Sequence, residues 1–335
     1  IAYVGCMFFG LGSEIAGVAV TRSIAKWFKD GNMAFAMGLQ LAIARLGTAF
    51  ALVISPKLVA EKGVGETYSL METASPAFLG LILMLVGMVL WAIFVAMDAR
   101  FDRQAGLKDT VETAEEDKFR FSDVVKLLKN KHFIVIALLC VFFYCCIISF
   151  KKFATSILIP RFDIPAESAG WMVSMIPFFT VVFAPLFGLL VDKVGHGSRW
   201  MISGAVLVFV AHILIAFAPA KLSIGGSIAD TSFIGYVAIG ILGIGYSLLP
   251  AAMWPSVPKI VPEKNLGTAY SLIYWIQNIG LMTVPVAVGS IFKRFAGQEA
   301  AIRSEYIFMA LAAVAIVISV MFALSTKEEP NEKVL

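Results

Sequence analysis

Long apolar stretches separated by short polar segments dominate this sequence and define its predicted elements. A helix needs about 20 apolar residues to cross about 30 Å of hydrocarbon. The stretches reach this length, so the pattern predicts an all-α polytopic membrane protein, in which each helix satisfies its own backbone hydrogen bonds. The nine predicted spans lie approximately at residues 1–25, 33–55, 77–98, 133–159, 168–191, 199–218, 233–258, 266–292 and 305–325.

The composition supports a membrane protein. Of the 335 residues, 59% are hydrophobic and only 15% are charged, whereas a soluble domain has about 25% charged residues. The cysteines lie inside apolar stretches, form no C-x-x-C pair and have no His nearby in the sequence, so we expect neither a disulfide nor a metal site. They are Cys6, Cys140, Cys145 and Cys146.

The longest polar stretch, residues 98–131, separates the third predicted span from the fourth. Its end, SDVVKLLKNKHF, alternates apolar and basic residues at helical spacing. We expect a short amphipathic helix on the membrane surface, with Ser122 as its N-cap.

Basic residues predict the orientation of the spans. Seventeen of the 27 Lys and Arg residues lie in one alternate set of loops and in the C-terminal tail. By the positive-inside rule this set is cytoplasmic, and it includes the stretch at 98–131.

Two segments of the chain repeat at a constant offset of 233 residues. GLGSE at 10–14 aligns with GIGYS at 243–247, and without a gap residues 32–47 align with 265–280. The repeat relates loops on the same side, which predicts two parallel halves about an axis along the membrane normal.

The repeat also predicts the domain organisation. It leaves the spans between 133 and 218 without partners, so we expect three further helices upstream, an N-terminally truncated chain and twelve helices in the full protein. The predicted parts are the last three helices of an N-terminal half at 1–98, a cytoplasmic linker at 99–131, a C-terminal six-helix half at 132–326 and a cytoplasmic tail at 327–335.

A loop motif gives the first resemblance to a known family. GLLVDKVGHGSRW, residues 188–200, resembles the G-x-x-x-D-R-x-G-R-R loop of the major facilitator superfamily, although a Lys replaces the first Arg and His-Gly interrupts the basic pair. Gly in such a motif permits two helices to approach closely, and the Asp can accept hydrogen bonds from a helix N-terminus. The resemblance implies a major facilitator fold and a conformational loop formed by Gly188, Asp192, Lys193, Gly195 and Arg199.

Two longer segments resemble one family within that superfamily, the lysosomal dipeptide transporters called major facilitator superfamily domain-containing protein 1. A glutamate after G-x-G-x, a W-F-K loop and an arginine in the next helix correspond to Glu14, residues 27–29 and Arg45. W-P and L-G-T-A-Y correspond to residues 254–255 and 266–270. Departures are Cys6, where many relatives begin the helix with Arg, and the lysines at 151 and 152, which replace more neutral residues.

This resemblance implies transport of dipeptides or similar small zwitterions by alternating access. The expected partners are the small-molecule substrate and the lipid bilayer, whereas coupling to protons and an accessory membrane subunit are left open. The implied location is a lysosomal membrane in a eukaryote, or the plasma (inner) membrane in a bacterium.

Glu14 and Arg45 place charges in the middle of neighbouring apolar stretches. Each lies about a dozen residues from the same loop, so at 1.5 Å per residue both sit roughly 18–20 Å from the same surface. One interpretation is a structural ion pair that joins the two helices. The other is that both line a water-filled cavity that binds a polar substrate, since ionisable groups within membranes usually serve function.

A zwitterion suits the second interpretation. Its amino group would meet Glu14, and its carboxylate would meet Arg45 or Lys151 between aromatic walls. Lys151 and Lys152 alternatively extend to the outer interface, and His212 is interpreted as a packed residue. The predicted substrate-binding residues are Glu14, Arg45, Tyr144, Lys151, Tyr246, Trp254, Tyr274, Gln277 and Asn278.

Other functions remain as alternatives. The sequence has no Walker A motif, metal cluster or nucleophile–base arrangement, so an enzyme, a cofactor and nucleic acid are not expected. An organic-anion or sugar carrier of the same superfamily is one alternative. A sugar carrier would have more Asn and Gln in its spans, and an anion carrier would lack an unpaired Glu14. A non-transporting membrane sensor or scaffold is the other.

Overall fold

The computed structural model describes residues 2–28, 31–58, 69–104, 121–219, 221–224, 227–230 and 232–326. Residues 59–68, residues 105–120 of the predicted linker and the predicted tail at 327–335 lie outside the described residues. The described helices are α1 (Ala2–Trp27), α2 (Met33–Leu58), α3 (Leu70–Gln104), α4 (Phe121–Lys129), α5 (Lys131–Phe162), α6 (Ala166–Val194), α7 (Gly197–Phe217), α8 (Phe233–Ile260), a 3₁₀ turn (Glu263–Asn265), α9 (Leu266–Arg294) and α10 (Gly297–Ser325).

The helical architecture confirms the predicted all-α class, with one small addition. Strands β1 (Lys221–Ile224) and β2 (Ser227–Asp230) form an antiparallel hairpin between α7 and α8. Within the described residues, eight helices are long and apolar enough to cross a membrane, and Met33–Thr48 is a shorter apolar helix. Each predicted span falls on one of these helices, so the chain is a multi-pass integral membrane protein.

Helix α10 begins at Gly297, earlier than the predicted start at residue 305. Hydropathy alone missed its first two turns because they are polar. There Arg303 forms an i,i+4 ion pair with Glu299, at 2.8 Å between nitrogen and oxygen, and such pairs support helix formation.

The short helix expected at the end of the linker is present as α4, but its predicted cap is wrong. Ser122 lies inside α4, because Phe121 is already helical. The side-chain oxygen of Asn130 instead accepts hydrogen bonds from the N–H groups of His132 and Phe133, at 3.0 and 3.3 Å. Asn130 therefore ends the amphipathic segment and N-caps α5.

The chain divides into two compact units, residues 1–46 with 120–335 and residues 47–119. In the first unit, α8 packs against α6 and α7, and α5 packs against α9 and α10. In the second unit, Ser75 of α3 donates a hydrogen bond to the Leu58 carbonyl at 2.9 Å. The apolar side chains of α3 are largely exposed, as in a helix whose surroundings are lipid.

Small residues allow α7 and α8 to pack closely. A Cβ atom added to Gly204 would lie 2.8 Å from the Leu249 Cβ, and one added to Gly245 would lie 2.9 Å from the Gly204 carbonyl oxygen. Backbones approach this closely only where side chains are absent. The crossing lies at the middle of α8, next to the buried Tyr246.

We expect Gly204→Ala to destabilise the protein, although alanine favours helices by about 1 kcal/mol over glycine. Overpacking against Leu249 costs about 1–3 kcal/mol. Gly170→Ala in α6 is the matched control, because its added methyl group would meet no atom within 4 Å. Thermal unfolding in detergent should show a lower melting temperature for Gly204→Ala alone. Equal melting temperatures for the two variants would contradict this packing.

Candidate functional site

Arg45 of α2 contacts Tyr246 of α8. Its Nη2 donates a hydrogen bond to the Tyr246 hydroxyl, and its guanidinium carbon lies 5.0 Å from the centre of the Tyr246 ring. The Arg45 Nε is buried and has no hydrogen-bond partner within the described residues. An unsatisfied buried donor costs about 1–3 kcal/mol, so this N–H group is suited to an incoming acceptor.

Lys151 of α5 supplies a second cation beside the same ring. Its Nζ lies 6.0 Å from the Tyr246 ring centre, within electrostatic range of Arg45. Lys151 is half-buried, whereas its neighbour Lys152 is exposed. No acidic side chain of the described residues forms an ion pair with Lys151 or Arg45. The two like charges therefore make this region attractive to an anion.

Aromatic side chains extend the site away from the two cations. The Trp254 indole N–H donates a hydrogen bond to the Tyr144 hydroxyl at 2.9 Å. The ring centres of Tyr144 and Tyr246 are 6.1 Å apart, and those of Trp254 and Tyr274 are 5.2 Å apart. Four predicted site residues from α5, α8 and α9 thus form one connected aromatic cluster.

Two residues outside the predicted set also join this cluster. The Phe143 ring stacks on Tyr246 with centres 6.3 Å apart, and Tyr270 lies 5.9 Å from Trp254. The Tyr270 hydroxyl is buried without a hydrogen-bond partner among the described residues. Tyr270 could be found from its helical spacing with Tyr274, but Phe143 gave no distinguishing signal.

Gln277 and Asn278 of α9 lie in different surroundings. Gln277 is buried, and its side-chain oxygen accepts a hydrogen bond from the Cys140 thiol at 3.0 Å. Asn278 is half-buried and makes no hydrogen bond to the aromatic cluster in the described part of the chain. Within the described residues, neither side chain is hydrogen-bonded to Arg45.

Glu14 and Arg45 do not form the ion pair considered from the sequence. Glu14 is exposed on α1 and lies within electrostatic range of Tyr274, whereas Arg45 turns towards α8. Among the described residues no ion pair joins them, and this interpretation is wrong. Counting residues from a loop gives the depth of a side chain but not the direction in which it points.

The loop motif holds the start of the helix that carries Arg45. The Asp192 carboxylate accepts hydrogen bonds from the backbone N–H groups of Ala34 and Phe35, at 3.2 and 2.8 Å. A Cβ atom on Gly188 would lie 2.8 Å from the Phe35 Cα, so α2 and α6 approach closely there. These contacts confirm the packing expected of Gly188 and Asp192.

The remaining motif residues shape and charge the loop. The Gly195 N–H donates to the Val191 carbonyl, and Gly195 has a φ of 70°, in the region that favours glycine, where α6 ends. Its carbonyl accepts a hydrogen bond from the Trp200 indole at 2.9 Å. Lys193 and Arg199 are exposed beside this turn.

Sequence reasoning missed a second polar centre. His212 is fully buried, as expected, but it contacts Cys146 and Glu305 through its two ring nitrogens, at 3.3 and 2.7 Å. The sequence led us to expect no nucleophile beside a base. This expectation is wrong, because the fold places a thiol next to an imidazole. The three residues are far apart in the sequence. Glu305 lies at the polar end of a predicted span, where a charged residue is ordinary. No metal-binding group of three His, Cys, Asp or Glu side chains occurs within the described residues.

The sequence is similar to a known protein family and to several curated proteins. The family model of the Major Facilitator Superfamily matches residues 1–164 and 145–335. The chain is similar to proteins named Lysosomal dipeptide transporter MFSD1. It is 31% identical over 298 residues to that of Gallus gallus, which covers 86% of this chain and 61% of the relative.

Two further relatives bear the same name. The Danio rerio protein is 31% identical over 294 residues, covering 86% of this chain and 59% of the relative. The Homo sapiens protein is 29% identical over 293 residues, covering 86% of this chain and 58% of the relative. The chain thus spans about three-fifths of the length of the curated relatives it matches.

We expect Tyr246→Phe to lower the melting temperature, because Arg45 loses the acceptor of its Nη2 group while the ring remains. The loss of about 1–3 kcal/mol corresponds to a few degrees in a protein of this size. Tyr236→Phe on the same helix is the control, since Tyr236 is exposed and, among the described residues, the cation–ring contacts of Arg45 and Lys151 are those with Tyr246. If both variants unfold at the wild-type temperature, the Arg45–Tyr246 hydrogen bond does not stabilise the fold.

Proposed function

The chain belongs to the Major Facilitator Superfamily, and on this premise we propose that it transports dipeptides or similar small zwitterions by alternating access. The names of its curated relatives support this substrate class, since they are called lysosomal dipeptide transporters. The observation that carries the proposal is the pair of cations, Arg45 and Lys151, beside the Tyr246 ring.

The substrate carboxylate binds at these cations. The buried Arg45 Nε has no acceptor within the described residues, and Nη2 contacts Tyr246. A guanidinium group offers a planar fork that matches a carboxylate, and Lys151 adds a compact second charge. A carboxylate at this position would reduce the repulsion between the two cations and accept a hydrogen bond from the Arg45 Nε–H group.

The ammonium group of a dipeptide needs an acidic partner, and its side chains need a wall that accepts varied chemistry. Glu14 is exposed and has no ion-pair partner among the described residues, so its carboxylate is available for a substrate ammonium group. Its electrostatic range includes Tyr274, which belongs to the aromatic cluster. Aromatic walls contact apolar and polar side chains alike, which suits a carrier of varied peptides.

Alternating access requires contacts that break and re-form as the two halves rock. The loop motif is our candidate for such a contact. Asp192 accepts hydrogen bonds from two backbone N–H groups in the first turn of α2. Lys193 and Arg199 of the same loop are exposed. Breaking these hydrogen bonds would free the helix that carries Arg45, and so would link the loop to the substrate site.

The proposal assigns this chain to carriers and not to enzymes. The superfamily match and the relatives' names support that assignment. The Cys146–His212–Glu305 arrangement resembles a catalytic triad, but all three side chains have 0% exposure and offer no surface to a substrate.

An organic-anion carrier is the second candidate function. The observation that favours it is the same pair of cations without an acidic partner within the described residues. Glu14 distinguishes the two candidates, because an ammonium group needs this carboxylate and a simple anion does not. In a dipeptide carrier Glu14→Gln should impair uptake, whereas in an anion carrier it should leave uptake unchanged.

Uptake of a labelled dipeptide into proteoliposomes that contain the full-length protein tests the proposal. Arg45→Lys should reduce uptake about tenfold or more, because a charge-assisted hydrogen bond contributes about 1.5–3 kcal/mol and an ammonium lacks the planar fork. Lys151→Ala should also reduce uptake. Lys152→Ala is the matched control, since this neighbouring side chain is exposed and should transport normally.

Two results would contradict the assignment. Wild-type uptake by Arg45→Lys and Lys151→Ala would show that the cations do not bind the substrate. Uptake of dicarboxylates but not dipeptides by the wild-type protein would select the organic-anion carrier. Expression and a cooperative melting transition of each variant confirm that a loss of uptake is not a loss of folding.

A further inference from the structure

Three helices of the C-terminal part bring one thiol, one imidazole and one carboxylate together. Cys146 of α5 lies with its Sγ 3.3 Å from His212 Nε2, and His212 Nδ1 lies 2.7 Å from an oxygen of Glu305 on α10. All three side chains have 0% exposure. The site lies in the packed core of α5, α7 and α10, apart from the contacts of Arg45 and Tyr246.

The hydrogen-bond geometry allows two arrangements of this cluster. With Glu305 ionised, its carboxylate accepts a hydrogen bond from His212 Nδ1, which therefore carries a proton in both. The Cys146 sulfur lies within reach of two acceptors, His212 Nε2 at 3.3 Å and the Phe308 carbonyl oxygen at 3.4 Å. The thiol can therefore donate its S–H to a neutral ring, or turn to Phe308 and accept a hydrogen bond from a protonated ring.

The surroundings are dry and contain one further charge. The rings of Phe150 and Phe308 lie 5.1 and 5.4 Å from the His212 ring centre. Arg161 of α5 is within electrostatic range of Glu305, and its guanidinium donates to the carbonyls of Ala216 and Ala218 at 3.2 and 2.5 Å. Helix α8 also packs against α7, but in the described part of the chain it brings no titratable group within range of His212.

One acceptor in the cluster remains open. Glu305 Oε1 is buried and has no hydrogen-bond partner within the described residues, although its other oxygen is bonded to His212. Buried carboxylate oxygens are normally satisfied, and an exception in a native structure calls for a functional explanation. The negative charge of Glu305 therefore has His212 as its one hydrogen-bond partner within the described residues, and it attracts a proton to this ring.

We propose that Cys146, His212 and Glu305 form a binding site for a single proton. The incoming proton binds His212 Nε2, while the Cys146 S–H turns from the ring to the Phe308 carbonyl. The ring becomes an imidazolium held between the sulfur and the carboxylate, and no other bond forms or breaks. Proton release leaves the carboxylate against a neutral ring and weakens the contact between α7 and α10. This inference does not depend on which substrate is carried.

Nitrogen-15 NMR of the full-length protein in lipid bilayers tests the proposal, because ring shifts distinguish the imidazolium from each neutral tautomer. The chain has three histidines, and His132 and His196 serve as references. In a scan from about pH 5 to about pH 11, His212 should change between imidazolium and the Nδ1–H tautomer by one proton. Glu305→Gln should change its proton affinity by about tenfold or more, because the anionic partner is lost.

Glu299→Gln is the matched control on the same helix, since Glu299 is exposed and pairs with Arg303. It should leave the His212 titration unchanged. If Glu305→Gln does not fold, Cys146→Ala provides the second variant, and it should change the His212 proton affinity by removing the sulfur contact. The proposal is overturned if His212 keeps one form throughout the scan in the wild-type protein, or if neither folded variant alters its titration.

Discussion

The contact between Arg45 and Tyr246 is the interaction on which the candidate site depends. It orients a guanidinium group within an apolar interior, where a charge without partners would be costly. The tyrosine satisfies Nη2 and offers the face of its ring, yet it leaves Nε free. Arg45 is thereby held in position without being neutralised. A carboxylate in its place would have occupied the same donors and removed the attraction for an anionic ligand.

Helix α2 connects this contact to the loop motif at 188–199. Its first turn is held by Asp192, and close packing at Gly188 fixes its distance from α6. Its middle carries Arg45 towards α8, whose own position depends on the close crossing at Gly204 and Gly245. Small residues and one carboxylate therefore set the geometry in which the cations and the aromatic cluster meet. The buried Cys146–His212–Glu305 cluster is a separate polar centre, and it joins α5, α7 and α10.

Features set by periodicity and local chemistry could be predicted from the sequence. Helical spans were readable because about 20 apolar residues match the bilayer, and the role of Asp192 could be inferred from the affinity of carboxylates for helix N-termini. The partner of Arg45 was not readable, because depth along a helix does not determine direction around it. The contacts of His212 with Cys146 and Glu305 join residues that are 66 and 93 positions apart, and no local pattern marks them. The cap at Asn130 was missed because Ser122 offered an equally good local signal.

The central claim is that Arg45 and Lys151 bind the carboxylate end of a zwitterion. Its most direct test changes the ligand and leaves the protein intact, by competing a labelled dipeptide against three unlabelled analogues during uptake by the full-length protein in liposomes. The free dipeptide should compete, the N-acetylated form should compete weakly, and the C-terminal amide should lose most of its competition because it lacks the negative charge. Equal competition by the amide and the free acid would contradict the account.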